Sequence, residues 1–261
     1  MKPKLSIVMP AIRPQNWVAA YESILKSTKE HFELIIVSPF PLIKELTGLT
    51  NIKHVVDFGS PVRATQIGIT LAEAPYLFPN FCDDALFLEN AIDENLAFLD
   101  SMGSAENNVV TCKYSESDGF SHPTRWNDDS YYTLVNSYPV NKTWVPNDWY
   151  VFNNPFWHRS YFESFGGYDC SFGATPISHA DLALRAYLGG AVVKLSPIPI
   201  MKVDHGQNDH RPIEISQLYF DSPAFTHKHT NRLSPDKIKV DKDNWKNAQS
   251  LWEFRFQISN E

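Results

Sequence analysis

The sequence predicts an α/β fold: a mainly parallel central sheet with flanking helices and an extension on one side. Three observations predict it. Short apolar runs alternate with amphipathic helical stretches through the first hundred residues, the pattern of βαβ units. The first three of those runs end at proline, serine and aspartate. Beyond residue 100 a polar, aromatic stretch over 115 to 148 breaks the alternation and is too long for a plain connection.

The elements follow in order. Leu5 to Met9 reads as a buried strand stopping at Pro10, and Trp17, Val18, Tyr21, Ile24 and Leu25 recur at helical spacing. Phe32 to Val37 is the second strand, closed by Ser38-Pro39-Phe40-Pro41. Ile52 to Val56 is the third, ending at Asp57. Ser60 followed by Pro61 signals a helix start, a hydroxyl cap and then proline at the first helical position. A fourth strand over Tyr76 to Phe81 leads into Asp83-Asp84. Val109 to Tyr114 and Trp149 to Phe152 read as strands. A short helix spans His158 to Phe165, and another runs from about His179 to Leu188 and stops at Gly189-Gly190. Ala191 to Leu195 and Ile198 to Val203 are strands. A last helix is expected over Trp245 to Phe256. No repeat or linker divides the chain, so residues 1–261 read as a single domain.

Composition narrows the function. With 43% hydrophobic and 20% charged residues this is an ordinary globular chain. Its net charge of −7 argues against nonspecific binding to a nucleic-acid backbone, so a nucleic-acid partner is not indicated. Three cysteines without CxxC spacing read as reduced thiols, which points to a cytoplasmic protein. No apolar run approaches the ~20 residues of a membrane span. Trp126, Tyr131, Tyr132, Tyr138, Trp144, Trp149, Tyr150, Phe152, Phe156 and Trp157 cluster after residue 120; they suit either a stacking surface for a sugar or base, or a core patch.

The chemistry starts at Asp83-Asp84. Two acids in an apolar segment are costly to bury unless paired or metal-bound. Either they hold a hard divalent cation, Mn²⁺ or Mg²⁺, or they cap the helix that follows. Ligands in parallel sheets bind beyond the carboxyl ends of the strands, and Pro10, Ala11, Arg13, Ser38, Asp57 and Asp83-Asp84 all fall on that edge. Arg63, at a helix start, suits a diphosphate or remains a solvated charge.

Three features line up along the chain: Asp83-Asp84; Phe165-Gly166-Gly167-Tyr168-Asp169 followed by His179-Ala180-Asp181-Leu182-Ala183-Leu184-Arg185; and Val203-Asp204-His205. With Leu5-Ser6-Ile7-Val8-Met9-Pro10 they resemble the family 2 glycosyltransferases of the GT-A fold, over roughly residues 4 to 205. The resemblance implies a Rossmann-like nucleotide-sugar-binding half (1–100), an acceptor-side half (101–205) and a C-terminal extension (206–261) packing on the body. It implies an inverting, metal-dependent transfer of a sugar from a UDP- or GDP-sugar to a hydroxyl acceptor, most simply a glycan. Asp84 and His205 would ligate the metal. Asp83 would contact the ribose or sugar. Asp181 or His179 would be the base. Trp149, Asn153 and Gly167 would shape the acceptor pocket.

The chain departs from the family pattern in three places. Cys82 precedes the acid pair, so the motif is Asp-Asp. Ser38 stands where an acid is usual. His179 occupies the middle acid position of the helix motif. The alternatives are a degenerate fold that binds glycan or nucleotide without turnover, a transferase acting on a modified nucleobase, and a nucleotidyltransferase, which the lack of glycine between Pro10 and Pro14 disfavours.

Overall fold

The computed structural model describes residues 2–116, 132–134, 150–152, 154–204, 211–229 and 237–252. Its centre is an eight-stranded sheet. The first four strands to form it are β1 (Leu5–Pro10), β2 (Phe32–Ser38), β3 (Ile52–Val56) and β4 (Tyr76–Phe78). β5 (Ala85–Phe87) and β6 (Asn108–Glu116) follow. A two-stranded ribbon pairs β7 (Tyr132–Leu134) with β8 (Tyr150–Phe152), and β9 (Pro155–His158) and β10 (Val192–Val203) rejoin the main sheet. The order is β3-β2-β1-β4-β9-β6-β10-β5. β1 pairs in parallel with β2 and β4, and β6 with β10; β9 and β5 are the antiparallel members. This is the mainly parallel α/β sheet that the alternation of elements predicts.

Side-chain alternation builds two apolar layers. Ile7 and Met9 of β1 and Leu34 and Ile36 of β2 face one side, where α1 (Trp17–Ser27) and α3 (Ala91–Ser101) pack with Trp17, Ala20, Ile24, Ile92, Leu96 and Leu99. Val8, Ile35 and Val37 face the other. There they meet Val62, Ile67 and Ile69 of α2 (Pro61–Thr70), Phe162 of α4 (Arg159–Ser164), and Ile177 and Leu184 of α5 (Thr175–Leu188). Burial on both faces explains why β2 is an unbroken apolar run apart from Glu33. α2 starts as its sequence signals: the Ser60 hydroxyl accepts the Arg63 N–H at 3.1 Å, with Pro61 next.

Several expectations need correction. β4 ends at Phe78, short of Phe81, because Pro79 has no N–H for the ladder; one β1 contact resumes at Phe81, whose N–H donates to Val8 at 2.8 Å. The acid pair therefore sits in the turn between β4 and β5. The strands expected over 191–195 and 198–203 are one strand, β10, whose register shifts between Leu195 and Met201 as it passes Pro197 and Pro199. α5 begins four residues before His179. No helix forms at Trp245: a single 3-10 turn covers Asn244–Asn247, an extended stretch follows, and residues from 253 lie outside the described set. Of the aromatic cluster, Phe156 and Trp157 are fully buried core residues, while the side chains from Trp126 to Phe152 fall outside the described residues. All three cysteines are free thiols; burial pushes Cys170 up to about 12 and Cys112 well up as well.

Residues after 205 form α6 (Arg211–Ser216), a π-helical turn (Gln217–Asp221) and α7 (Ser222–His229), and then an extended run back over the body. Polar contacts hold that run in place. Val240 N–H donates to Phe165 and Trp252 N–H to Phe58, both at 3.0 Å, and Asn244 Nδ2 donates to Tyr168 at 2.9 Å. No helix among the described residues is long and apolar enough to cross a membrane.

Candidate active site

The carboxyl ends of β1, β2 and β3 and the start of α2 line an open cleft. Pro10, Ala11, Ile12, Pro39 and Asp57 line it. The strand ends are held together by backbone: Ala11 N–H donates to Val37 at 2.9 Å and Asp57 N–H to Ser38 at 3.0 Å. Of the residues expected on the donor, Pro10, Ala11 and Asp57 thus share one cleft.

Arg13 and the acid pair stand beside it. One Asp83 oxygen accepts the backbone N–H groups of Ile12 at 2.7 Å and Arg13 at 2.5 Å. The other meets the Arg13 guanidinium at 2.5 Å. The second guanidinium nitrogen lies 3.3 Å from Asp84. The side chains of Asp83 and Asp84 are only 2% and 4% exposed, and that of Arg13 is 17% exposed. The β5–β10 pairing ends here, with Asp204 N–H donating to the Asp84 carbonyl at 2.8 Å. Asp204 directly precedes His205, which lies outside the described residues.

Among the described residues no group of three or more His, Cys, Asp or Glu side chains is arranged to hold a metal ion. The donor chemistry nevertheless fits a hard divalent cation. The two adjacent carboxylates offer only oxygens, both are nearly closed to solvent, and a guanidinium stands in as their shared cation.

Two expected donor residues are otherwise engaged. The Ser38 hydroxyl accepts the Phe40 N–H at 3.0 Å, closing the turn after β2. Arg63 Nε bridges both Asp57 oxygens at 3.0 and 3.2 Å, while its Nη1 donates to the carbonyls of Trp245 and, at 3.0 Å, Ala248. Arg63 therefore joins the cleft wall to the C-terminal run, and its guanidinium is spent on protein groups.

The two base candidates have different surroundings. His179 is buried; its Nε2 is 3.2 Å from Asn80 Nδ2, and Asn80 belongs to the same β4–β5 connection as the acid pair. Burial pushes the imidazole down to about 4, so it is neutral at pH 7. Asp181 is closed off from solvent with its oxygens against Arg185 Nε at 2.7 Å, Lys228 Nζ at 2.6 Å and His229 Nε2 at 2.8 Å. Burial alone would raise its pKa. Arg185, Lys228 and the His229 hydrogen bond outweigh it and hold the carboxyl well below the usual carboxylate range. Lys228 also reaches Asp169 at 2.6 Å. His229 is fully buried and pins α7 to α5.

Gly167 sits within the same framework. It and Gly166 have φ of +80° and +86°, and a Cβ on Gly167 would lie 2.5 Å from Gln66 Oε1. Its carbonyl accepts from Arg185 Nη2 at 2.7 Å, so Gly167 braces α5. Trp149 and Asn153 lie outside the described residues. Sequence reasoning missed Asn80, Lys228 and His229. Asn80 reads as part of an apolar strand, and α7 has almost no apolar stripe to mark it as packed.

Neither a family model nor a curated protein sequence matches the chain. Solved structures do. A mannosyltransferase from Pyrobaculum calidifontis, solved with GDP-Man and Mn²⁺, aligns with a TM-score of 0.58 at 14% identity, covering 100% of this chain and 71% of that one. Residues 1–349 of S. aureus TarS align at 0.56 and 14%, covering 98% and 73%. GalNAc-T7, solved with UDP, GalNAc and Mn²⁺, aligns at 0.56 and 12%, covering 99% and 57%. The likeness is one of fold, and it runs the length of the chain: the α/β sheet described above is that of the GT-A glycosyltransferases.

Proposed function

We propose that this protein is a glycosyltransferase that moves a sugar from a nucleotide diphosphate sugar to a hydroxyl acceptor, with inversion and with a divalent cation. One observation carries the reading: an acid pair at the carboxyl edge of a GT-A sheet, beside a cleft lined by Pro10, Ala11, Ile12 and Asp57. The neighbours solved with GDP-Man or UDP and with Mn²⁺ support it.

The cleft takes the nucleoside. Asp83 fixes the loop after β1 through two backbone amides and so sets the height of the cleft floor. Asp84, with His205, would hold Mn²⁺ or Mg²⁺. A bound divalent ion supplies Lewis-acid stabilisation of charge on the departing diphosphate. The acceptor hydroxyl needs a base within hydrogen-bond reach. We assign that role to His179, since Asp181 already shares its charge among Arg185, Lys228 and His229. Asp181 is then a positioning residue. A glycan is the preferred acceptor, because the net charge of −7 gives a nucleic-acid acceptor no support.

The test is transfer and donor hydrolysis over a panel of UDP- and GDP-sugars with Mn²⁺, comparing the wild type with Asp84→Ala and His179→Gln. A drop of about a hundredfold or more is expected for each, the scale on which charge stabilisation and general base catalysis act. Unchanged turnover in Asp84→Ala would sink the reading. A second reading, binding without turnover, draws on Ser38 and Asp181 being engaged within the protein. Donor binding seen by thermal shift, with no transfer to any acceptor offered, would favour it.

A further inference from the structure

The acid pair already has a cation. Asp83 and Asp84 both face Arg13, at 2.5 and 3.3 Å, and the backbone N–H of the same residue holds Asp83 at 2.5 Å. A divalent ion approaching Asp84 meets that guanidinium first, and like charges side by side repel strongly where water is scarce. The arginine is the more exposed partner and sits on the loop that floors the nucleoside cleft. A diphosphate in that cleft offers it an alternative anion, because guanidinium binds phosphate in bidentate fashion as readily as carboxylate.

We propose that Arg13 is the residue that couples metal binding to nucleotide binding: it occupies the acid pair in the free protein and yields it when a nucleoside diphosphate draws it away. Competition for charge supports the exchange. Among the described residues the guanidinium lies against both carboxylates and competes with a divalent ion for them. With a diphosphate present, the guanidinium neutralises phosphate and leaves the carboxylates to the metal. The two ligands then bind with positive, reciprocal coupling. The inference rests on the proposed donor chemistry, but it concerns the order and strength of binding, which that reading leaves open.

The experiment measures Mn²⁺ affinity by electron paramagnetic resonance of the free ion, with and without UDP or GDP, against a protein-free nucleotide blank. Wild type, Arg13→Gln and Arg13→Lys are compared after thermal melts establish that each is folded. In the wild type, nucleotide is expected to tighten Mn²⁺ binding by about tenfold or more, within the usual range of coupling between sites. Arg13→Gln should bind Mn²⁺ alone about tenfold more tightly than the wild type and lose most of the coupling. Arg13→Lys, which keeps the charge, should stay near the wild type. Arg13→Gln binding Mn²⁺ alone no more tightly than the wild type overturns the proposal while leaving the donor reading intact. Absence of Mn²⁺ binding in all three proteins, nucleotide included, overturns this proposal and the metal requirement together, and the thermal shift with nucleotide then reports donor binding on its own.

Discussion

The acid pair at the sheet edge and the acid cluster under α5 are built differently. At the sheet edge two carboxylates share one partly exposed guanidinium. Under α5 two carboxylates, Asp181 and Asp169, meet Arg185 and Lys228, with the His229 ring added. The first centre lies beside a cleft. The second has Asp181 and Arg185 0% exposed at its heart. A centre beside a cleft is suited to recruit a ligand. One built on a fully buried Asp181–Arg185 pair is suited to hold elements together, here α5, α7 and the Gly166-Gly167 turn.

Breaking each centre should separate those roles. Asp181→Asn leaves the fully buried Arg185 without its carboxylate, while Lys228 keeps Asp169, and the expected cost is about 3–5 kcal/mol by urea denaturation. Asp84→Asn leaves Arg13 still paired with Asp83 and within reach of water, so about 1 kcal/mol is expected. If Asp84→Asn proves the costlier of the two, the contrast between the centres is wrong.

The next largest effect depends on pH. His179 has a folded pKa of about 4, below its ordinary value near 6.5. Between those values the unfolded chain binds the proton and the folded chain does not, so stability falls as pH drops. The contribution is fully present above pH 6.5, and roughly 3 kcal/mol should be lost by pH 4. His179→Gln should flatten that slope. Asp181, held far below the carboxylate range, adds slope only below about pH 5, so the two centres are also distinguishable by titration.

These contrasts mark what the sequence makes legible. The donor half reads well because its signals are local. β3 matches its expected bounds, Ser60-Pro61 starts α2 as expected, and the alternating faces of β1 and β2 define both cores. Strand-end acids are legible for the same reason. The partners of those acids are not, because they come from far along the chain: Asp181 meets residues 47 and 48 positions away, and Arg63 meets a carbonyl 182 away. α7 is held by the Lys228 and His229 contacts to Asp169 and Asp181, and its hydrophobic pattern is nearly silent. Arg13 is expected on the ligand edge of the sheet, and only the folded loop shows that it faces the acids.

Arg63 tests how the C-terminal run is tied to the cleft wall. Its guanidinium bridges Asp57, two carbonyls and the face of Trp245 at 5.2 Å. Lysine cannot reproduce that fork. Arg63→Lys should cost about 2 kcal/mol, the scale of a lost charged hydrogen bond, and expose the 237–252 run to limited proteolysis. Resistance equal to the wild type would mean that Gln66, Arg185 and Asn244, which also hold this run, are sufficient.

The smallest effect isolates the cleft from the fold. Ser38 stands where the resembling family usually has an acid, and its hydroxyl accepts the Phe40 N–H at 3.0 Å. That hydroxyl is 1% exposed at the end of β2, while the neighbouring Pro39 lines the cleft. Ser38→Ala removes the acceptor from one turn N–H and should cost about 1 kcal/mol. Donor affinity should hold, because the shape of the cleft wall here comes from Pro39 and the backbone of β2. Calorimetry with the preferred nucleotide decides the point. A tenfold loss of affinity in Ser38→Ala would place the hydroxyl on the ligand and require the turn after β2 to open on binding. An unchanged affinity would leave Asp57 as the acid nearest the nucleoside, one strand further out than the family pattern has it.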